Sequence, residues 1–301
     1  PDAIYAFGVH SKTLNKYGEL PTVFFDDVEN KIIIGAIPAR AEFGYFGYLK
    51  KMVLTLHNIV MMKKGKMPYH GAMIHVQLKS GRKSTILLIG DTGAGKSETL
   101  EALRVCGDKD ISDMTIIADD MGSLSITNDG VLGYGTEIGA FVRLDDLQQG
   151  YVFGQIDRAI IMSPQKKNAR IVIPVTTLAN TLRGYSVNYL LYANNYDEID
   201  ETHPIIECFN SKDEALRCFS EGTAMSKGTT SSTGINHTYF VNVFGAVQYR
   251  EIHDKLADKY FKHMFKKGIF VGQIRTRLGI KGYETNGPEE GARALLDLIS
   301  K

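Results

Sequence analysis

The sequence predicts an α/β fold with a mixed β-sheet core, a phosphate loop and flanking helices. Two patterns alternate along its 301 residues: short apolar runs bounded by turn residues, and longer stretches with apolar positions at helical spacing. One point joins both patterns, because the apolar run ending at Ile89 passes through a glycine-rich loop directly into a helix-like segment. No repeat, low-complexity tract or long Pro or Ser linker divides the chain, so a single domain over 1–301 is expected. A start at Pro1 rather than Met also admits a processed product or a fragment of something longer.

Taken in order, Thr22–Phe25 and Lys31–Ile34 flank an acidic turn and read as a hairpin. Leu49, Met52, Val53, Leu56 and Val60 repeat at helical spacing, which makes Lys50–Met62 an amphipathic helix. Ala72–Leu78 and Ser84–Ile89 read as strands around a polar turn, Glu98–Arg104 as a helix and Thr115–Ala118 as a strand. Gly122–Thr127 and Val131–Tyr134 flank Asn128-Asp129-Gly130, a hairpin turn expected because these residues tolerate positive φ. Later strands are expected at Ala159–Met162, Arg170–Val175, Val187–Tyr192 and Gly268–Val271. Helices are expected at Lys212–Phe219, Gln248–Phe265 and Pro288–Ser300.

Composition narrows the function classes. A net charge of +1 argues against a nucleic-acid surface, which needs a strong basic excess. No apolar run approaches the roughly 20 residues of a membrane span, so no membrane partner is expected. Cys106, Cys208 and Cys218 are odd in number and not at metal spacing; they read as core thiols in a reducing, cytoplasmic setting.

The chemistry concentrates at Gly90-Asp91-Thr92-Gly93-Ala94-Gly95-Lys96-Ser97-Glu98, a complete G-x-x-x-x-G-K-S loop. Its glycines let successive amides turn toward phosphate oxygens, Lys96 can reach the β and γ phosphates, and the Ser97 hydroxyl suits Mg²⁺. The helix that follows adds its positive dipole end. Downstream, the run Met114–Ala118 ends in Asp119 and Asp120, a strand end that delivers carboxylate to a metal beside the γ phosphate. Adjacent strand residues face opposite ways, so the two acids are expected to divide their roles between metal and proton or water. Taken alone, Lys50 and Lys51 read as a solvated helix face and His70 as a core or turn histidine.

The loop, Ala118-Asp119-Asp120 and Tyr69-His70-Gly71 together resemble bacterial HPr kinase/phosphorylase. More of the chain resembles the phosphoenolpyruvate carboxykinases: Tyr45-Phe46-Gly47-Tyr48-Leu49-Lys50-Lys51-Met52, Pro68-Tyr69-His70, Gly135–Arg143, Asn168-Ala169-Arg170 and Phe244-Gly245-Ala246 follow that family's order across residues 31–300. The resemblance implies a carboxykinase-like sheet core and a transition metal, usually Mn²⁺, on Lys51, His70 and Asp120, with Mg²⁺ at Ser97. Arg170 and Arg143 would neutralise the transferred phosphoryl group. A lysine ligand must be neutral, and moving its pKa from ~10.4 to ~7 costs ~4.6 kcal/mol at ~1.36 kcal/mol per unit.

Departures from the family stand at Phe46 and Tyr48 and at Gly71–Ile74, and the family's N-terminal G-R-S-P-K-D-K stretch has no counterpart. Thr229–Gly234 reads as a mobile lid or simply as an exposed loop. The expected function is γ-phosphoryl transfer from ATP or GTP to an enolate or hydroxyl of a small carboxylic acid, with Lys96, Asp119, Asp120, Arg143 and Arg170 catalytic. A protein serine kinase and a non-catalytic nucleotide-binding regulatory domain are the alternatives. Oligomeric state is not written in the sequence.

Overall fold

A computed structural model describes residues 1–18, 22–143, 160–162, 170–227 and 233–301. The elements begin with β1 (Ala3–Val9), α1 (Ser11–Leu14), β2 (Val23–Asp27) and β3 (Ile32–Pro38). There follow α2 (Phe46–Lys63), β4 (Met67–Leu78), β5 (Lys83–Ile89), α3 (Lys96–Cys106), β6 (Ile111–Ala118), β7 (Met121–Ile126) and β8 (Val131–Gly135). Then come β9 (Gly139–Arg143), β10 (Ile160–Met162), β11 (Arg170–Pro174), α4 (Leu178–Leu182), β12 (Tyr185–Ser186) and β13 (Tyr189–Asn194). The chain ends through β14 (Ile206–Cys208), α5 (Lys212–Glu221), β15 (Thr223–Lys227), β16 (Thr233–His237), α6 (Arg250–Lys266), β17 (Phe270–Arg275) and α7 (Asn286–Ser300).

Nine strands form the main sheet in the order β12-β8-β7-β4-β5-β13-β17-β14, with β6 also on β4. The sheet is mixed: β13 runs parallel to both β5 and β17, whereas β4 is antiparallel to β5, β6 and β7. Strand β13 is buried on both faces, which is why it reads as a continuous apolar run. Its Leu190 and Tyr192 join one core cluster beneath α2 and α6, while Leu191 and Ala193 join another beneath α3 and α7. Among the described residues, no helix is long and apolar enough to cross a membrane.

Strand β4 changes partners partway along. Residues 67–70 pair with β7, and from Gly71 onward the strand pairs with β5 and β6. His70 lies at that seam, and its carbonyl accepts from the Gly90 amide at 3.3 Å. The Gly71 amide donates to Asp120 O at 2.8 Å, and a Cβ on Gly71 would stand 2.3 Å from Leu88 O. The seam thus welds the start of the phosphate loop to the carboxylate turn, and only glycine fits it.

Several expectations need adjusting. The expected first hairpin is present as β2 and β3, but β1 adds a parallel third strand on β3. The second hairpin forms without positive φ in its turn; Thr127 Oγ1 instead bonds the main chain of Gly130 in both directions at 3.2 Å. The strand expected at Val187 begins at Tyr189, and the strand expected at Gly268 begins at Phe270, because Gly268 takes a positive φ that ends α6. Cys208 is exposed and Cys106 and Cys218 are only half-buried, so the cysteines are not all core thiols. Of Thr229–Gly234, residues 229–232 lie outside the described residues and Thr233 opens β16, whose Gly234 has positive φ. Ala159, Asn168 and Ala169 also lie outside them.

Candidate functional site

The phosphate loop bridges the C-terminal end of β5 and the N-terminus of α3, so the loop amides and the helix dipole converge on one point. Gly93 and Gly95 adopt φ of 78° and 87°, as the inward-turned amides require. Neighbours fix the loop's shape. Thr276 Oγ1 donates to Ala94 O at 2.8 Å, and Asn195 Nδ2 donates to Gly93 O and Met225 O, both at 2.9 Å. Asp91 Oδ2 accepts from Thr238 Oγ1 at 3.1 Å. Lys96 is buried, and its ammonium donates to Gly90 O at 2.8 Å and Asp91 O at 2.9 Å. Burial depresses its pKa, with Asp120 and Asp91 opposing. Gly90, Ala94 and Gly95 are buried, whereas Thr92, Ser97 and Glu98 are exposed.

The two acids beyond β6 divide as strand geometry requires. Asp119 Oδ1 accepts from Ser97 Oγ at 3.2 Å, on the phosphate-loop side. Burial, then the neighbouring Asp120 charge, raises the Asp119 carboxyl above its ordinary value. Asp120 faces α2 and β4 instead: Oδ2 accepts from Lys50 Nζ at 2.8 Å and Oδ1 lies 3.0 Å from His70 Nε2. Burial alone would raise the Asp120 carboxyl, but the His70 ring and the Lys50 and Lys51 charges hold it well below the usual carboxylate range.

His70 carries a fixed tautomer. Its Nδ1 lies 2.5 Å from Val241 O, and a carbonyl can only accept, so the proton sits on Nδ1. Burial, then the Lys51 charge, lowers the ring's pKa and favours the neutral form. With the ring neutral, the Nε2 lone pair would confront a carboxylate oxygen at 3.0 Å, so the pair requires a proton or cation between them. Lys51 fits the same chemistry. Its amine makes no hydrogen bond or ion pair among the described residues, and burial lowers its pKa, with Asp120 opposing. These donors suit a divalent metal. Among the described residues, no three His, Cys, Asp or Glu side chains gather as a ligand group, so a metal held here would need the Lys51 nitrogen beside His70 and Asp120.

The arginines meet through the backbone. Strands β9 and β11 are antiparallel, with Arg143 and Arg170 as direct cross-strand partners at the end of that sheet. Glu137 was not singled out from the sequence as a site residue, yet its Oε1 lies 3.4 Å from Lys50 Nζ, which ties it to Asp120 through one ammonium. Nothing in its spacing marked it. Main-chain atoms were equally invisible in the sequence. Phe240, Val241 and Asn242 take φ of 43°, 50° and 60° in succession, and that left-handed turn aims the Val241 carbonyl at His70. The Val243 carbonyl accepts from Asn58 Nδ2 at 2.6 Å and anchors the turn to α2. Strain of this kind persists only where surroundings over-determine it.

No protein-family model and no curated protein matches the chain.

Proposed function

We propose that this protein is a divalent-metal-dependent phosphotransferase that moves the γ-phosphoryl group of ATP or GTP to an enolate or hydroxyl of a small acid. The observation that carries this reading is the Gly90–Ser97 loop, with Asp119 hydrogen-bonded to the Ser97 hydroxyl. Loop amides and the start of α3 bind the polyphosphate. Lys96, now on two loop carbonyls, exchanges them for β and γ phosphate oxygens. Ser97 and Asp119 would hold Mg²⁺, and Lys51, His70 and Asp120 would hold a transition metal such as Mn²⁺. Bound there, the cations would supply charge neutralisation for the transferred group. The cross-strand position of Arg143 and Arg170 puts two further cations on one strand pair.

Phosphorus NMR of ATP with Mg²⁺ and Mn²⁺, with and without oxaloacetate, tests the proposal. Wild-type protein is expected to consume ATP and Lys96→Ala is not. Lys51→Ala is expected to lose the response to Mn²⁺ while still binding ATP. ATP bound tightly with no turnover in any mixture would support a regulatory nucleotide-binding domain instead.

A further inference from the structure

Glu137 sits in the link between β8 and β9, held there by Thr136, whose Oγ1 donates to Met121 O at 2.9 Å. Its Oε1 is buried and has no hydrogen-bond partner. The Lys50 ammonium pairs with it at 3.4 Å, a looser contact than its 2.8 Å hydrogen bond to Asp120. A buried carboxyl oxygen served only by an ion pair at that distance still lacks a close donor. Such an atom is complementary to a ligand that brings an O–H or N–H, and is a poor match for one that brings only lone pairs. An enolate or carboxylate oxygen is of the second kind; an alcohol is of the first.

The surroundings favour a neutral, proton-bearing group. Lys50 from α2 faces Glu137, Asp119 and Asp120 face it electrostatically from the turn after β6, and Phe141 from β9 lies 5.2 Å beneath the Lys50 ammonium. Phe46 closes on Phe141 at 5.4 Å between ring centroids. Burial, opposed by Lys50 and reinforced by Asp120, pushes the Glu137 carboxyl up to about 7. That is the range in which a carboxylate accepts a proton efficiently near neutral pH.

We propose that the phosphoryl acceptor is a hydroxyl group and that Glu137 Oε1 takes its proton. This rests on the phosphotransferase reading above and narrows it from enolate or hydroxyl to hydroxyl. In the step, the acceptor O–H bond breaks and its proton passes to Glu137. The oxygen's electron pair forms the new O–P bond, while the bond from the γ phosphorus to the β–γ bridging oxygen breaks and its pair leaves with the nucleoside diphosphate. An enolate has no such proton to lose and would leave Glu137 idle.

The test compares wild type with Glu137→Gln, with ATP, Mg²⁺ and Mn²⁺, offering water alone, glycerate, L-serine or oxaloacetate, and reading products by phosphorus NMR. Transfer to hydroxyl oxygen, water included, is expected to fall by about 10²–10⁴-fold in the variant. ATP affinity should stay within about twofold, and the acidic limb of the wild-type rate profile should vanish. If Gln at this position unfolds the protein, Glu137→Asp serves in its place, with a slowed rate and the limb retained. Equal rates in wild type and variant overturn the proposal, as does phosphoenolpyruvate made from oxaloacetate without need of Glu137. Wild-type protein that binds no ATP sinks the phosphotransferase reading itself, a separate outcome.

Discussion

His253 shows how one buried residue contributes to the protein's response to acid. Its ring is fully buried among Tyr239, Phe240 and Phe244, and Tyr239 OH lies 2.9 Å from Nδ1 and 2.5 Å from Asp254 Oδ1. The single hydroxyl hydrogen goes to the carboxylate, so Nδ1–H donates to the tyrosine oxygen. Burial lowers the ring's pKa to about 4, with Asp254 opposing. The folded value lies below the unfolded ~6.5, so the unfolded chain takes up the proton first. Stability is therefore full above ~6.5 and lost as pH falls through about 4. The loss totals about 3 kcal/mol at ~1.36 kcal/mol per unit. Urea titrations from pH 7.5 to 4 should show this slope, and His253→Phe should make it shallower, leaving the share of other buried histidines such as His70. An unchanged slope in that variant would move the origin of the acid response elsewhere.

At the scale of elements, turns and loops carry the site and strands and helices only present it. Gly95 combines a φ of 87° with a close neighbour: a Cβ there would stand 2.7 Å from Thr276 Cβ and Oγ1. Gly95→Ala should lower ATP affinity and destabilise the fold by about 1–3 kcal/mol. Gly65, at a φ of 74° with open space around it, is the control. Gly65→Ala should cost only the backbone term, about 1–2 kcal/mol, and leave ATP binding intact. Equal effects at both positions would show that contact with Thr276 is irrelevant. Other termini follow local chemistry: Ser211 caps α5 through the Glu214 amide at 3.2 Å, and Glu214 reaches back to the Asn210 amide at 2.8 Å.

Across the whole molecule, the site joins parts distant in sequence: α2 gives Lys50 and Lys51, β4 gives His70, and the β6–β7 turn gives Asp119 and Asp120. Ligand and fold should therefore be coupled. MgATP at 100 times its Kd is expected to raise unfolding free energy by about 2.7 kcal/mol. Lys96→Ala should lose that gain while keeping its unliganded stability near wild type or above, since it removes a buried ammonium. Calorimetry with and without nucleotide measures both, and stabilisation persisting in Lys96→Ala would mean that ATP binds elsewhere. The three-stranded sheet β1-β3-β2 is tied to the body by Asp26, which accepts from Lys63 at 2.7 Å and Tyr249 OH at 3.1 Å.

The sequence by itself determined what is local. A glycine-rich loop between a strand and a helix follows from backbone sterics and amide geometry, and the amphipathic periods of α2, α5, α6 and α7 follow from 3.6 residues per turn. The strand ending in Asp119 and Asp120 was legible for the same reason, as was their division between two faces. What only the tertiary structure decided is long-range pairing. β1, β9, β12 and β14 have short or unremarkable sequences and exist through partners far along the chain. The tautomer of His70, set by a carbonyl 171 residues away, and the unsatisfied oxygen of Glu137 likewise depend on which surfaces meet in space. Hydrogen-bond direction and desolvation belong to the assembled surroundings of an atom, and no spacing along the chain encodes them.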